Sequence, residues 1–221
     1  MLYNKPTIYN TPTIYNTGAG GGGGIVLPDN IKLLSALQYN SNTPQDGMNV
    51  NVNISNEDIF EFILIPTFGS NLQTLFSRYF EVESDNRTFE FSTSTGYPSN
   101  VTINYYNGGL FKSQVISNSI TQYGLIVRLE KDKLIVNGTS YAMANSFTQR
   151  NVVLKRIWAR SGYGVSIHPF IRFTIYDKDG DKKFEFLPAK NTDENKVGVY
   201  ELINGVFTPT TNFKAMGDII V

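Results

Sequence analysis

Apolar and polar residues alternate with a period of two from about residue 49 to the end of this chain of 221 residues, and this pattern restricts its folds. Val50, Val52 and Ile54 alternate with three asparagines. Because successive side chains of a β-strand point to opposite faces, such segments predict strands with one buried face. Turn-forming Asn-Gly or Asp-Gly pairs separate several of them, at residues 107–109, 137–138, 179–180 and 204–205. The sequence predicts an all-β antiparallel fold.

Two hairpins are nearly explicit in the sequence. Residues 124–130 and 133–136 flank one charged two-residue turn, and residues 170–177 and 182–187 flank a longer charged turn. The apolar run at 59–65 predicts a central strand. Helix content is expected to be small, with residues 31–38 the one candidate for a helical turn. We therefore expect an antiparallel β-sandwich.

Composition excludes several classes of protein. The formal net charge is zero, which gives no electrostatic case for binding nucleic acid or an anionic membrane. The chain has no cysteine, so disulfides and thiolate metal sites are excluded. No window approaches 18 consecutive apolar residues, so no transmembrane helix is predicted. The N-terminus shows no cationic segment followed by an apolar stretch, the pattern of a signal peptide. We expect stability to come from packing alone, with no cofactor and no metal.

The first residues carry a repeat. Residues 3–8 (Tyr-Asn-Lys-Pro-Thr-Ile) are followed by residues 9–14 (Tyr-Asn-Thr-Pro-Thr-Ile) and by a third Tyr-Asn-Thr. Proline fixes φ and favours extended geometry before it, so the segment predicts an extended arm that cannot bury its own apolar side chains. One reading is a low-complexity leader without a partner. The other, which we favour, is a docking arm whose contact residues are Tyr3, Pro6, Ile8, Tyr9, Pro12, Ile14 and Tyr15.

These patterns divide the chain into three parts. Residues 1–17 form the docking arm, residues 18–24 a glycine-rich linker, and residues 25–221 the β-sandwich. The linker lacks the Gly-Lys-Ser/Thr ending of a phosphate-binding loop. Fully extended, it spans at most about 23–25 Å.

Four short segments near the C-terminus follow one another in an order that has a counterpart in known proteins. They are Phe173-Thr174-Ile175-Tyr176-Asp177, Phe184-Glu185-Phe186-Leu187-Pro188-Ala189, Lys196-Val197-Gly198-Val199-Tyr200-Glu201-Leu202-Ile203-Asn204-Gly205-Val206-Phe207, and Phe213-Lys214-Ala215-Met216-Gly217. The order resembles the C-terminal signature of laminin-G/concanavalin A-like domains in structural proteins of bacteriophages, many of which infect gut bacteria. Members usually carry Cys where Ala189 stands. The arm resembles N-terminal segments of phage head and tail appendage proteins, including those of crAss-like phages.

This resemblance implies a non-enzymatic virion protein with an antiparallel jelly-roll sandwich of the concanavalin A-like type. We expect a capsid decoration or head-fibre protein, located in the virion and oligomeric there, whose arm binds other virion proteins, the capsid shell first among them. The alternative is a tail-associated module that recognises host surface glycan.

For each group of residues that could be catalytic or bind a metal, we favour a purely structural role. Residues 177–181 (Asp-Lys-Asp-Gly-Asp) have the appearance of a calcium loop, but proline stands at the position where an EF-hand needs Glu, so we expect a charged turn. Glu81, Glu83 and Asp85 are the nearest approach to a glycosidase carboxylate pattern, in the wrong order. His168, the one histidine, lacks the sequence context of a catalytic triad.

Aromatic residues leave two readings open. Trp158 and the tyrosines at 97, 105, 106, 123 and 163 could stack on sugar rings or pack in a core or interface. We favour packing, and place Trp158 on a buried face with Val152 and Leu154.

The chain ends in an apolar segment, Ile219-Ile220-Val221. We expect it to pair as a strand at the start of the domain, near residues 25–27, and so to close the fold.

Overall fold

The computed structural model describes residues 26–39, 47–55, 57–64, 75–82, 89–96, 100–107, 110–116, 125–130, 133–142, 152–158 and 169–220. Within these ranges every regular element is a β-strand, and all pairings are antiparallel. No helix capable of spanning a membrane occurs in them. The predicted all-β antiparallel architecture is confirmed at this level.

The strands are β1 (Ile31–Tyr39), β2 (Met48–Ile54), β3 (Ile59–Leu64), β4 (Leu75–Val82), β5 (Phe89–Gly96), β6 (Asn100–Asn107), β7 (Leu110–Ile116), β8 (Leu125–Leu129), β9 (Lys133–Val136), β10 (Thr139–Ala142), β11 (Val152–Ile157), β12 (Phe173–Tyr176), β13 (Lys182–Asn191), β14 (Lys196–Glu201), β15 (Val206–Pro209) and β16 (Phe213–Ile220). The larger sheet has the order β10-β9-β8-β3-β12-β13-β1-β16, and β14 and β15 join it through β13. The smaller sheet has the order β2-β11-β4-β5-β6-β7.

Strand β13 organises the larger sheet because it pairs with three strands. Its first half pairs with β12, with Phe186 opposite Phe173. Its second half pairs with β14 and, at residues 189–191, with the start of β1. Strand β13 therefore connects the first strand of the domain to the C-terminal hairpins.

Both sheets contribute to one buried core. Phe62, Val127 and Phe173 come from the larger sheet, and Ile54 and Leu154 from the smaller one. Strand β2 shows how the alternation achieves this: Met48 and Ile54 are buried while the asparagines between them are exposed. The period-two pattern thus directs one face of each strand inward.

Trp158 belongs to this core and is fully buried, which confirms the expectation that it lies on a buried face. Its ring contacts Phe62 edge-on with centroids 5.9 Å apart, and Phe170 at 5.0 Å. Its backbone has φ of +53°, a left-handed conformation that costs about 1–3 kcal/mol for a residue other than glycine. The surrounding aromatic packing holds the residue in this conformation.

A second, smaller apolar cluster involves strands β1, β13 and β14. Its buried members are Ile31, Leu33, Leu187, Ala189 and Tyr200. Leu27, Leu202 and Phe207 pack against it and are only partly buried. The root of the N-terminal segment and the β14–β15 hairpin therefore share one cluster.

The expectation of a helical turn at residues 31–38 is wrong, because this segment is strand β1. The pairing of β1 with β16 shifts register between Leu34 and Ala36, which marks a bulge. A bulge interrupts the alternation of faces. Both faces of β1 are also covered, because Leu33 belongs to the second apolar cluster while Leu34 and Leu37 belong to the main core. The buried residues at 33, 34 and 37 therefore have a helix-like spacing although the segment is a strand.

The expected closure of the domain by its C-terminus is confirmed, but its position differs. Strand β16 pairs with β1 along its length, and Ile220 stands opposite Leu33 rather than near residues 25–27. Before β1 the chain forms a turn in which Ile31 N donates to Pro28 O at 2.9 Å, so pairing starts later.

Candidate functional site

The predicted contact residues of the arm lie outside the described residues: Tyr3, Pro6, Ile8, Tyr9, Pro12, Ile14 and Tyr15. The first described residue is Val26, shortly after the glycine-rich linker, and we call residues 26 and 27 the root of the arm. Val26 is 92% exposed, whereas Leu27 packs against the second apolar cluster. Anything attached to Val26 therefore leaves the domain from its surface.

In the charged turn at residues 177–181, the Asp177 side chain forms hydrogen bonds with backbone groups of the same turn. Asp177 Oδ1 accepts hydrogen bonds from the backbone N–H groups of Asp179 and Asp181, both at 2.9 Å. Gly180 has φ of +89°, and its N–H donates to Asp177 O at 3.1 Å. Among the described residues, no group of three or more His, Asp or Glu side chains could hold a metal ion. The loop has the geometry of an Asx-type turn.

The residues considered for glycan hydrolysis are only partly described. Glu81 lies in β4 and stands opposite Glu90 of β5 on one side and Arg156 of β11 on the other. This cross-strand pairing of two acidic residues depends on register, which a single-strand pattern could not reveal. Glu83, Asp85 and His168 lie outside the described residues.

The aromatic residues considered for sugar stacking lie in different parts of the chain, and only some of them are described. Trp158 belongs to the core and offers no surface. Tyr105 and Tyr106 lie in β6, where they stand opposite Phe91 and Glu90. The tyrosines at 97, 123 and 163 lie outside the described residues.

The best-organised polar cluster was not predicted from the sequence. It lies on β3, β8 and β12 and is centred on Glu61. Arg172 Nη2 donates to Glu61 Oε1 at 3.0 Å, and the Tyr176 hydroxyl donates to the same oxygen at 3.3 Å. Arg128 Nη1 lies 3.5 Å from Glu61 Oε2, while its Nε donates to Glu130 at 2.9 Å. The Arg128 guanidinium lies 5.1 Å from the centroid of the Tyr176 ring.

Burial and charge shift two pKa values in this cluster. Partial burial lowers the pKa of Arg128, but its hydrogen bond to Glu130 and the charges of Glu130 and Glu61 outweigh burial and raise it overall. Burial raises the pKa of Tyr176 above its usual value near 10, and the charge of Glu61 raises it further. Tyr176 thus remains a neutral hydrogen-bond donor at neutral pH.

Thr174 lies beside this cluster and is fully buried. It stands opposite Glu61 on β3 and opposite Glu185 on β13. Tyr176 follows it on β12, and Arg172 lies just before that strand begins. Three buried atoms here have no hydrogen-bond partner: Arg172 Nε, Thr174 Oγ1 and Glu185 Oε1. The other oxygen of Glu185 accepts from Lys182 at 2.7 Å. Both oxygens of Glu61 contact groups of the protein itself, so the cluster acts as a brace across three strands.

A second buried carboxylate, Glu201, positions the β14–β15 hairpin. Its Oε1 accepts from the backbone N–H groups of Glu185 and Ile203, at 3.0 and 3.1 Å. Its Oε2 accepts from the backbone and side-chain nitrogens of Asn204, both at 2.7 Å. This single carboxylate ties the hairpin turn to strand β13.

No local pattern indicated the contacts around Glu61, because they join residues far apart in the chain. Arg172 and Glu61 are separated by 111 positions. Only the polar face of β12 was visible, as Arg172, Thr174 and Tyr176 alternating with apolar residues.

No protein-family model matches this chain, and a search of the curated proteins found no match.

Proposed function

We propose that this protein is a non-enzymatic structural component of a bacteriophage virion, attached by its N-terminal arm to another virion protein. Capsid decoration or the anchoring of a head fibre is the role we favour, with the capsid shell as partner. The proposed fold is a jelly-roll sandwich of the concanavalin A-like type. Localisation in the virion and oligomerisation there are parts of the same proposal.

The observation that carries the proposal is the repeated apolar unit followed by a glycine spacer. Both repeats present Tyr and Ile with little charge, as repeated docking requires. Burying one such side chain stabilises a complex by about 1.5–3 kcal/mol before ordering costs. Prolines reduce the entropy that the arm loses when it docks.

The described domain supports the proposal by the way it presents the arm. Val26, at the arm's root, is exposed while the next residue is anchored. Pairing of β1 with both β13 and β16 fixes that root to the larger sheet, one strand in from its β16 end. A pull on the arm is consequently transmitted to a strand that is hydrogen-bonded on both sides.

The experiment is deletion of residues 2–17 in the phage that encodes the chain, followed by mass spectrometry of purified particles. We expect the shortened protein to remain folded, as judged by circular dichroism, and to be missing from particles. Incorporation at the normal level would contradict the proposal.

A matched pair of full-length variants separates side-chain chemistry from chain length. Changing the tyrosines at 3, 9 and 15 to Ser removes the aromatic contacts, whereas changing the asparagines at 4, 10 and 16 to Ser alters neighbouring polar positions of the same repeat. Only the tyrosine variant should fail to join particles. Cross-linking of the arm to tail proteins in place of shell proteins would support the tail-associated alternative.

A further inference from the structure

Thr174 and Glu185 form a buried polar pair on the face of the larger sheet that points away from the main core. Thr174 lies on β12 between Phe173 and Ile175, which both belong to that core, so its side chain points to the opposite face. Glu185 stands directly opposite Thr174 on β13. Thr174 is fully buried and Glu185 is 3% exposed, yet Thr174 Oγ1 and Glu185 Oε1 form no hydrogen bond with any described residue.

Two buried oxygen atoms of this kind call for a partner. A hydroxyl or carboxylate oxygen that leaves water without gaining another hydrogen bond destabilises the folded state. Buried polar groups are for this reason paired, with protein atoms or with ordered water, in nearly all cases. The other oxygen of Glu185 accepts a hydrogen bond from Lys182 Nζ at 2.7 Å, which fixes the orientation of the carboxylate.

The hydrogen-bonding capacities of the atoms identify the partner. A carboxylate oxygen only accepts, the Thr174 hydroxyl donates and accepts, and Arg172 Nε, a third buried atom without a partner, only donates. A cation cannot accept from Arg172 Nε, and the carboxylate of Glu185 would repel an anion. The ligand is therefore a neutral molecule that both donates and accepts. The complete burial of Thr174 restricts it to a very small one.

We propose that one internal water molecule binds at this position, bridging Thr174 Oγ1 and Glu185 Oε1 and accepting a hydrogen bond from Arg172 Nε. Residues directly opposite each other on neighbouring strands have Cβ atoms about 4.5–5.5 Å apart, which brings their side-chain oxygens within reach of one bridging water. The Arg172 guanidinium is held nearby, because its Nη2 donates to Glu61, which stands opposite Thr174 on β3. Buried waters in globular proteins typically form about three hydrogen bonds.

The water connects the polar contacts of Glu61 with those of Glu201. Arg172 links the water to Glu61, which also accepts from the Tyr176 hydroxyl. On the other side, the backbone N–H of Glu185 donates to Glu201 of β14 at 3.0 Å. Polar contacts then extend from β3 across β12 and β13 to β14. This water site belongs to the folded domain and is independent of the role of the arm.

A crystal structure of the purified full-length protein, at a resolution that shows ordered waters, tests the proposal directly. We expect one water within about 2.6–3.2 Å of both Thr174 Oγ1 and Glu185 Oε1. A direct hydrogen bond between these two oxygens, or a site in which no water contacts both, would overturn the proposal.

The variant Thr174→Val provides a second test, because it keeps the shape of the side chain and removes the hydroxyl. If the water is bound, the variant loses a hydrogen bond, and the equilibrium constant for unfolding in urea should rise about 2- to 12-fold. If the hydroxyl has no partner, its removal should leave that constant unchanged or lower it, which would contradict the proposal. The control is Thr139→Val, the same change on the exposed strand β10, which should alter the constant less than about twofold.

Discussion

Gly198 allows β14 and β15 to approach each other, and its replacement by Ala tests how tightly these two strands pack. A Cβ atom added at Gly198 would lie 2.8 Å from Pro209 Cα and 2.9 Å from Thr208 C, and still closer to Thr208 O. These are backbone atoms, so no side-chain rotation relieves the contact. Gly198 and Pro209 stand directly opposite each other, and β15 must therefore move away.

The magnitude follows from two terms. Overpacking of this kind costs about 1–3 kcal/mol. Weakening hydrogen bonds that hold the hairpin, such as Thr210 N to Val197 O at 2.9 Å, adds about 0.5–1.5 kcal/mol each. Replacing Gly also reduces the entropy of the unfolded chain, which offsets about 0.4–1 kcal/mol. We expect Gly198→Ala to lower the free energy of unfolding by about 2–3 kcal/mol.

Urea unfolding measures this change, and hydrogen exchange locates it. The control is Gly138→Ala, where the added Cβ meets nothing within 4 Å but φ is +81°. The control should destabilise through backbone strain alone, by about 1–2 kcal/mol, without faster exchange in β15. A loss below about 0.5 kcal/mol for Gly198→Ala, with unchanged exchange in β15, would refute the reasoning.

Three further predictions concern the domain. Removing residues 217–221 deletes the last pairings of β16, including Ile220 with Leu33, and should cost at least about 2 kcal/mol in thermal unfolding; an unchanged midpoint would show that β16 does not close the fold. The raised pKa of Tyr176 means that its contribution to stability is complete below pH 10 and is lost as pH rises through the folded value; Tyr176→Phe should make stability fall less steeply above pH 10, and an identical pH profile would argue against the contact with Glu61. Because the amides of the turn at 177–181 already occupy Asp177 Oδ1, unfolding midpoints in EDTA and in millimolar Ca²⁺ should agree, whereas a rise of several degrees with Ca²⁺ would reveal a metal site.

Sequence patterns predicted strands well where the alternation was unbroken. The hairpins β8–β9 and β12–β13 are confirmed, since both their turns and their alternating faces are encoded locally. At Asn137-Gly138 the structure has positive φ at both residues, the backbone that favours this dipeptide. Strand β1 was missed because apolar residues cover both of its faces and a bulge further disturbs the period that identifies a strand.

Long-range polar contacts could not be predicted in the same way. Glu61 meets Arg172 and Tyr176 only because β3 and β12 pair, a fact of topology that local periodicity does not encode. The hydrogen bond from Glu185 N to Glu201 likewise depends on β14 lying beside β13. The repeat of the arm lies outside the described residues, so its docking role rests on the sequence and remains a prediction.

The most direct test of the central claim is cryo-electron microscopy of intact phage particles, at a resolution that traces residues 1–17. The account predicts that the arm lies against a capsid-shell protein, with Tyr3, Ile8, Tyr9, Ile14 and Tyr15 buried in that contact. Particles that lack the protein, or that hold it through the domain while the arm extends into solvent, would contradict it.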